Sequence, residues 1–332
     1  LMRSTITAYQ LLSPWITLSI FTGSATIPGM FLLLIRSINA MGKLLSWPNR
    51  MPIFFIQMNL NRNIRNFRID TAAGFCNQSI IFETMAKSAL PAATVRIAAY
   101  LIESEYLERS VTVDVYLPAD AAPNCDNMSL LLINDGQDLR TMRFEDMLGR
   151  LICDQEVEPL MCIGIHCGTD RKMEYGTAFA ADYMGRGARA GLYNKFILDE
   201  LLPFIRKQYQ VPSFKDKSFA GFSLGALSAL DISWNHASEF RRIGLFSASL
   251  WWRKKAYDDG YDDERDRLMH LQVRKGNFKP WLQFFIQCGT AEETADRNNN
   301  GIIDTIDDAL DLIVALKAKG YTDEHIRYLQ LE

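Results

Sequence analysis

No aspartate or glutamate occurs before Asp70, yet the same stretch carries seven basic residues: Arg3, Arg36, Lys43, Arg50, Arg62, Arg65 and Arg68. The remainder is acidic overall, so the two parts read as different material. The chain also lacks any CxxC pair. Cys76, Cys125, Cys153, Cys162, Cys167 and Cys288 are scattered, which excludes a zinc ribbon or a disulfide framework. They read as reduced thiols of a cytoplasmic protein, with Cys162 and Cys167 as the pair that could close in an oxidising compartment. Histidine is scarce, at four residues, and the net charge of −3 gives no electrostatic footprint for nucleic acid. There is no internal repeat and no low-complexity tract.

Charge is also absent from Ser4 to Ile35, a run long enough to span a bilayer or, behind Arg3, to act as a signal segment. Gly23, Pro28, Gly29 and many Ser and Thr residues argue against one continuous apolar helix. Residues 1–85 are therefore read as a poorly structured or spurious extension, with a start at Met51, Met58 or Met85. A signal or membrane segment is the alternative, and membrane association depends on it. The folded domain is expected over residues 86–332.

From residue 110 onward the pattern becomes regular. Ser110–Pro118 alternates β-branched and polar residues, as an antiparallel edge strand does. Ser129–Asp135 and Leu160–Cys167 are unbroken apolar runs, expected of strands covered on both faces. Between and after them come helical segments, including the amphipathic Ala190–Tyr209, and four more strands. Strands alternating with helices imply an α/β fold with a doubly wound, mainly parallel sheet and helices on both faces.

Within that frame, Gly221-Phe222-Ser223-Leu224-Gly225 fits GxSxG. The motif alone is weak, but here it lies between a short apolar strand and a helix, the setting of a nucleophile elbow. So tight a turn wants glycine two residues either side of the serine. The helix that follows would direct the amide of Leu224 at an oxyanion.

The segments "LLLINDGQDL", "GIHCGTDRKMEYG", "DYMGRGARAGLYNKFILDELLPFI", "GFSLGALSAL", "FSASLWW" and "FIQCGTAEETADRNNNGIIDTIDDA" together resemble the esterase D / enterochelin-esterase-like branch of the α/β-hydrolases. The resemblance implies a serine carboxylic-ester hydrolase that works through an acyl-enzyme, with Ser223 as nucleophile. It implies a second oxyanion donor at the amide of Gln137 or Asp138, beside Gly136, and a triad acid at Glu292, with Glu293 as competitor. Trp251 and Trp252 would wall an acyl or sugar pocket, with core packing as the alternative. Arg171, Glu174 and Arg186 would rim the cleft or pair with one another. The family's histidine is expected just after the last strand, where this chain stops at Glu332, so the chain reads as truncated before it and impaired. Of the four histidines, His166 alone has a plausible place on the rim, as a substrate contact or a core histidine. His270 is expected in a lid-like segment. The substrate would be a small acyl or sugar-linked ester, and no cofactor is required for catalysis. A non-catalytic binding protein of the same fold, or an acyltransferase, is the alternative.

One further motif is independent of that chemistry. Asp296–Asp307 places oxygen-bearing side chains at loop positions one, three, five, nine and twelve: Asp296, Asn298, Asn300, Asp304 and Asp307. Gly301 stands at six and the Ile302 carbonyl at seven, an EF-hand-like pattern for structural Ca2+. The alternative is an Asn/Asp-rich turn with a helix cap at Asp304 or Thr305.

Overall fold

The unbroken apolar runs become the centre of an eight-stranded sheet in a computed structural model that describes residues 95–119, 121, 128–158 and 160–332. Residues 1–85 lie outside the described residues. The strands are β1 (Val95–Ser104), β2 (Arg109–Pro118), β3 (Ser129–Asn134), β4 (Leu160–Ile165), β5 (Lys217–Phe222), β6 (Arg242–Phe246), β7 (Gln283–Gly289) and β8 (Ile326–Leu331), in the order β1-β2-β4-β3-β5-β6-β7-β8. The β1–β2 and β2–β4 pairs are antiparallel and all the others parallel.

The expectation that Ser110–Pro118 is an edge strand is corrected here. β2 is covered by β1, paired from Val95↔Pro118 to Ser104↔Arg109, and β1 forms the edge. β1 escapes the sequence pattern because an edge strand need not alternate. Its residues are partly or fully exposed over most of its length.

Helices cover both faces. One core lies under α1 (Phe144–Cys153), with Phe144, Leu148 and Leu151 against Tyr116, Leu131 and Ile133. The other lies under α3 (Ala190–Lys195), α4 (Leu202–Gln208), α5 (Leu224–Asn235), α7 (Leu268–Lys275) and α8 (Asp304–Ala318). The short helices α2 (Arg171–Glu174) and α6 (Asp263–Asp266) sit in the connecting loops. Between α3 and α4 the register slips into a π turn over Phe196–Leu201. It ends just before Pro203, which has no amide to give the carbonyl of Asp199. None of the described helices is long and apolar enough to cross a membrane.

His270 is not in a lid. It is fully buried on α7, with Nε2 at 2.8 Å from the Asp308 carbonyl oxygen. Burial first, then the charge of Arg267, holds its pKa down to about 3. Between pH 6.5 and about 3 the unfolded chain therefore binds a proton that the folded chain refuses. Stability from this group is complete above pH 6.5 and falls by ~1 kcal/mol per pH unit below it. Urea melts at pH 5 and pH 7 should show that loss, and His270→Gln should reduce it. Equal slopes in both proteins would refute the assignment.

Candidate active site

The C-terminal ends of β3, β5, β6 and β7 meet above the sheet, and the turns leaving them carry the polar groups. Ser223 links β5 to α5 at φ 51° and ψ −119°. That is the first central position of a type II′ turn, a conformation that glycine favours and a side chain strains. Backbone bonds hold it there. Its amide donates to Phe246 O at 2.9 Å, and its carbonyl accepts from Ala226, Leu227 and Ser249 amides at 3.1, 3.2 and 3.1 Å. The residue is exposed although both of its glycine partners are buried.

Both glycines are sterically required. A Cβ on Gly221 would lie 2.5 Å from the Gly225 carbonyl carbon, and one on Gly225 would lie 2.7 Å from Asp135 Oδ2. The second contact shows how β3 builds the site. Asp135 has φ 61°, is buried, and receives Arg171 Nε and a terminal nitrogen at 2.7 Å each. Asn134 Nδ2 donates to Gly225 O at 2.7 Å, and Tyr193 OH donates to Asn134 Oδ1 at 2.5 Å. The end of β3 therefore grips the first turn of α5.

Gly136 follows in a tight turn over Gly136–Asp138, and a Cβ there would sit 2.2 Å from the backbone carbon of Gly164. This glycine is a packing requirement of the turn against β4. The amide of Asp138 already donates to Asp135 O at 3.0 Å, so Asp138 does not serve as an oxyanion donor. The Gln137 amide has no acceptor among the described residues, and the Gln137 side chain accepts from the Cys167 amide at 3.1 Å. Leu224 is the first residue of α5, where a helix has no internal partner for its amide. Burial, then the charge of Asp135, pushes the Cys167 thiol up to about 11, so no thiolate competes beside this turn at neutral pH.

Beyond β7, Glu292 Oε1 accepts from the Gly289 amide and from Ser247 Oγ, each at 2.5 Å. Glu293 turns away and caps α8 through the amide and hydroxyl of Thr305. A helix terminus thus engages Glu293, while Glu292 faces Ser247. Ser247 (φ 46°) and Ser249 were missed in the sequence, where "SAS" reads as a strand end. Ser249 Oγ lies 3.1 Å from Ser223 Oγ, so the serines after β6 stand between Ser223 and Glu292.

The histidines do not complete this row. His166 Nε2 pairs with buried Asp114 at 3.0 Å, a carboxylate that Arg140 also approaches at 3.4 Å. His325 bonds Thr322 and the Pro280 carbonyl, His270 is in the core, and His236 ends α5. None of the four bonds Ser223 or Glu292 among the described residues. Trp252 is fully buried, edged by Gly176 and Gly187, and is a core residue, which corrects its reading as a pocket wall. Trp251 is half-buried and packs against the same core. Arg171, Glu174 and Arg186 do not pair with one another. Their partners are Asp135, Arg109 and Asp182.

In the Asp296–Asp307 loop, Asn298 and Asn300 carboxamides lie 2.8 and 2.7 Å from Asp307 Oδ2, and Asp296 accepts from the amides of Asn300 and Gly301. Gly301 has φ 85° at the sharp turn. Ile302 is exposed at the loop's rim. Asp304 is drawn off, because its Oδ1 accepts from the Arg297 amide at 2.9 Å and faces the guanidinium at 3.3 Å. No cluster of three His, Cys, Asp or Glu side chains able to hold a metal occurs among the described residues, so the convergence depends on two carboxamides.

An exposed serine in a strained strand-to-helix turn, with free amides beside it, is the geometry of acyl transfer. The family model described as "Putative esterase" matches residues 104–327. The chain belongs to that family. A Bacillus subtilis (strain 168) relative, the uncharacterized protein YjcH, is 24% identical over 205 residues, 60% of this chain and 75% of its own. Among solved structures, the enterobactin esterase of Shigella flexneri superposes with a TM-score of 0.54 at 18% identity. The match covers 73% of this chain and 55% of that one, so this chain spans about half the length of the Shigella enzyme. A ferulic acid esterase matches with a TM-score of 0.53 at 17% identity, over 72% of this chain and 90% of that one. These structures share the esterase-family fold seen here.

Proposed function

We propose that this esterase-family chain is a serine carboxylic-ester hydrolase that acts through an acyl-enzyme on small acyl or sugar-linked esters. The observation that carries the reading is Ser223, exposed at φ 51° and ψ −119° between β5 and α5. Its Oγ would attack the ester carbonyl, and the oxyanion would fall between the amides of Leu224 and Gln137. The alcohol would leave with a proton, and Ser223 would carry the acyl group until water removes it. Glu292, bonded by Ser247 Oγ and the Gly289 amide, would supply the acid of the site. The relatives named for enterobactin and ferulic acid support an ester of a small acid as substrate.

No imidazole of this sequence bonds Ser223, and its hydroxyl faces Ser249 instead. Turnover should accordingly be low, since an unassisted serine hydroxyl is a weak nucleophile. The same observation favours a second reading, a non-catalytic binding protein of this fold. A fluorophosphonate probe separates the two. The expected result is labelling of the folded protein at Ser223, lost in Ser223→Ala. A folded chain that stays unlabelled would leave only the binding reading.

Catalysis as proposed requires no cofactor. For the Asp296–Asp307 loop, the gathered side chains of Asp296, Asn298, Asn300 and Asp307, with the Ile302 carbonyl, support a structural Ca2+. Titration calorimetry with CaCl2 after EDTA should show saturable binding and a raised melting temperature. Absence of both would leave an Asn/Asp-rich turn.

A further inference from the structure

Three of the described arginines are more than nine-tenths buried, and two of them have carboxylates. Arg242 (8% exposed) faces Asp216 at 2.7 Å, and Arg267 (2%) faces Asp308 and Asp311 at 2.7 Å each. Arg253, 8% exposed, has none among the described residues. Its Nε is unpartnered, and its terminal nitrogens reach only the Trp251 carbonyl and the Tyr183 hydroxyl, both at the long distance of 3.5 Å. Aromatic rings enclose it instead. The guanidinium carbon lies 3.7 Å from the ring centroid of Tyr257, 4.7 Å from that of Tyr183 and 5.9 Å from that of Tyr261. Rings offset part of the lost hydration, but a desolvated cation with only weak hydrogen bonds remains short of a counter-charge.

Chain connectivity keeps the cage near the proposed nucleophile. Arg253 follows Ser249 by four residues, a chain reach of at most about 14 Å, and Ser249 Oγ is 3.1 Å from Ser223 Oγ. Stacked side chains link Trp251, two residues past Ser249, to the cage. Arg186 stacks 4.9 Å from the Trp251 ring and 5.9 Å from Tyr183, which it shares with Arg253. Arg186 is neutralised by Asp182 and Arg253 is not. Tyr183 (40% exposed) and Tyr257 (46%) open the cage to solvent. With Tyr257 covering one face of the guanidinium, its in-plane N–H edge is what remains to donate, and that fork matches a carboxylate.

We infer that Arg253 is a specificity residue, and that the ester taken at Ser223 carries a carboxylate on its far end, which supplies the missing counter-charge. The inference rests on the esterase reading of Ser223 and names its substrate class. Two matched pairs test it and show which half of the ester bears the charge: mono-p-nitrophenyl adipate against p-nitrophenyl hexanoate, and 4-acetoxybenzoate against 4-acetoxybenzamide. The unaltered protein should prefer the charged member of one pair by at least about tenfold in kcat/KM, chiefly through KM, the lower range for a charge-assisted hydrogen bond. Arg253→Gln should remove that preference, and Arg253→Lys should restore part of it. Calorimetry with adipate and with benzoate should show binding of one of them, weakened at least about tenfold in Arg253→Gln. Indifference to charge in both pairs, or no binding of either acid to the unaltered protein, overturns the inference and does not depend on a variant folding. If adipate or benzoate binds while the phosphonate leaves Ser223 unlabelled, the carboxylate site stands and the catalytic reading falls.

Discussion

Ser223→Gly is expected to abolish phosphonate labelling and ester hydrolysis while giving a protein more stable than Ser223→Ala by about 1 kcal/mol. Both variants lose the hydroxyl and its 3.1 Å contact with Ser249, so that loss cancels between them. What differs is the backbone. At φ 51° and ψ −119° a Cβ is strained and glycine is not. At ordinary sites the order is reversed, because glycine loses more chain entropy on folding. For a domain of this size 1 kcal/mol corresponds to roughly 2–4 °C in Tm, within reach of calorimetry. Removing a triad serine costs hydrolases on the order of a millionfold in kcat, and a chain without a bonded imidazole starts lower, so the drop should fall to the residual rate of the oxyanion amides. If Ser223→Ala proves as stable as Ser223→Gly, the elbow is not strained. If Ser223→Gly still turns over ester at the parent rate, Ser223 is not the nucleophile.

The second large effect belongs to Gly221. In Gly221→Ala the new methyl would meet the Gly225 carbonyl carbon at 2.5 Å, the Gly225 carbonyl oxygen at 2.6 Å and the Ala226 nitrogen at 2.8 Å. All three are backbone atoms of the first turn of α5, so no rotamer change relieves the overlap. The turn must open, and with it the bonds from Ala226 and Leu227 to the Ser223 carbonyl. A loss of about 3 kcal/mol or more is expected, the upper range for overpacking, which is roughly 6–12 °C in Tm. Gly260→Ala is the control. It has φ 62° but nothing within 4 Å of its added methyl, so only strain of about 1 kcal/mol is incurred. Equal losses at Gly221 and Gly260 would mean that the elbow does not clamp on Gly225.

Much of this was legible before any fold was known, where the residue type leaves the backbone little choice. Gly221 and Gly225 announce a turn too tight for side chains, and the apolar runs at Leu130–Ile133 and Leu160–Ile165 announce strands buried on both faces. Glu292 lies three residues past Gly289 and accepts from its amide, a local relation, while its proposed role rests on the family resemblance. The errors share one cause. Whether Trp252 lines a pocket or fills the core, whether His270 rides on a lid or lies under α8, and whether Ser110–Pro118 is an edge depend on segments distant in the chain.

The amino-acid order alone determined the alternation of strands and helices and the residue at the bend, because hydrophobic period and glycine stereochemistry act over a few neighbouring residues. Only the tertiary structure decided the rest. It gave the Asp138 amide an acceptor and left the Gln137 amide without one among the described residues, sent Glu293 to a helix terminus, and set Ser249 against Ser223. It also enclosed Arg253 among tyrosines, with no acid paired to it among the described residues. Each of these is a question of which polar groups already have partners, and partners are assigned by the crossing of strands and loops far apart in the chain.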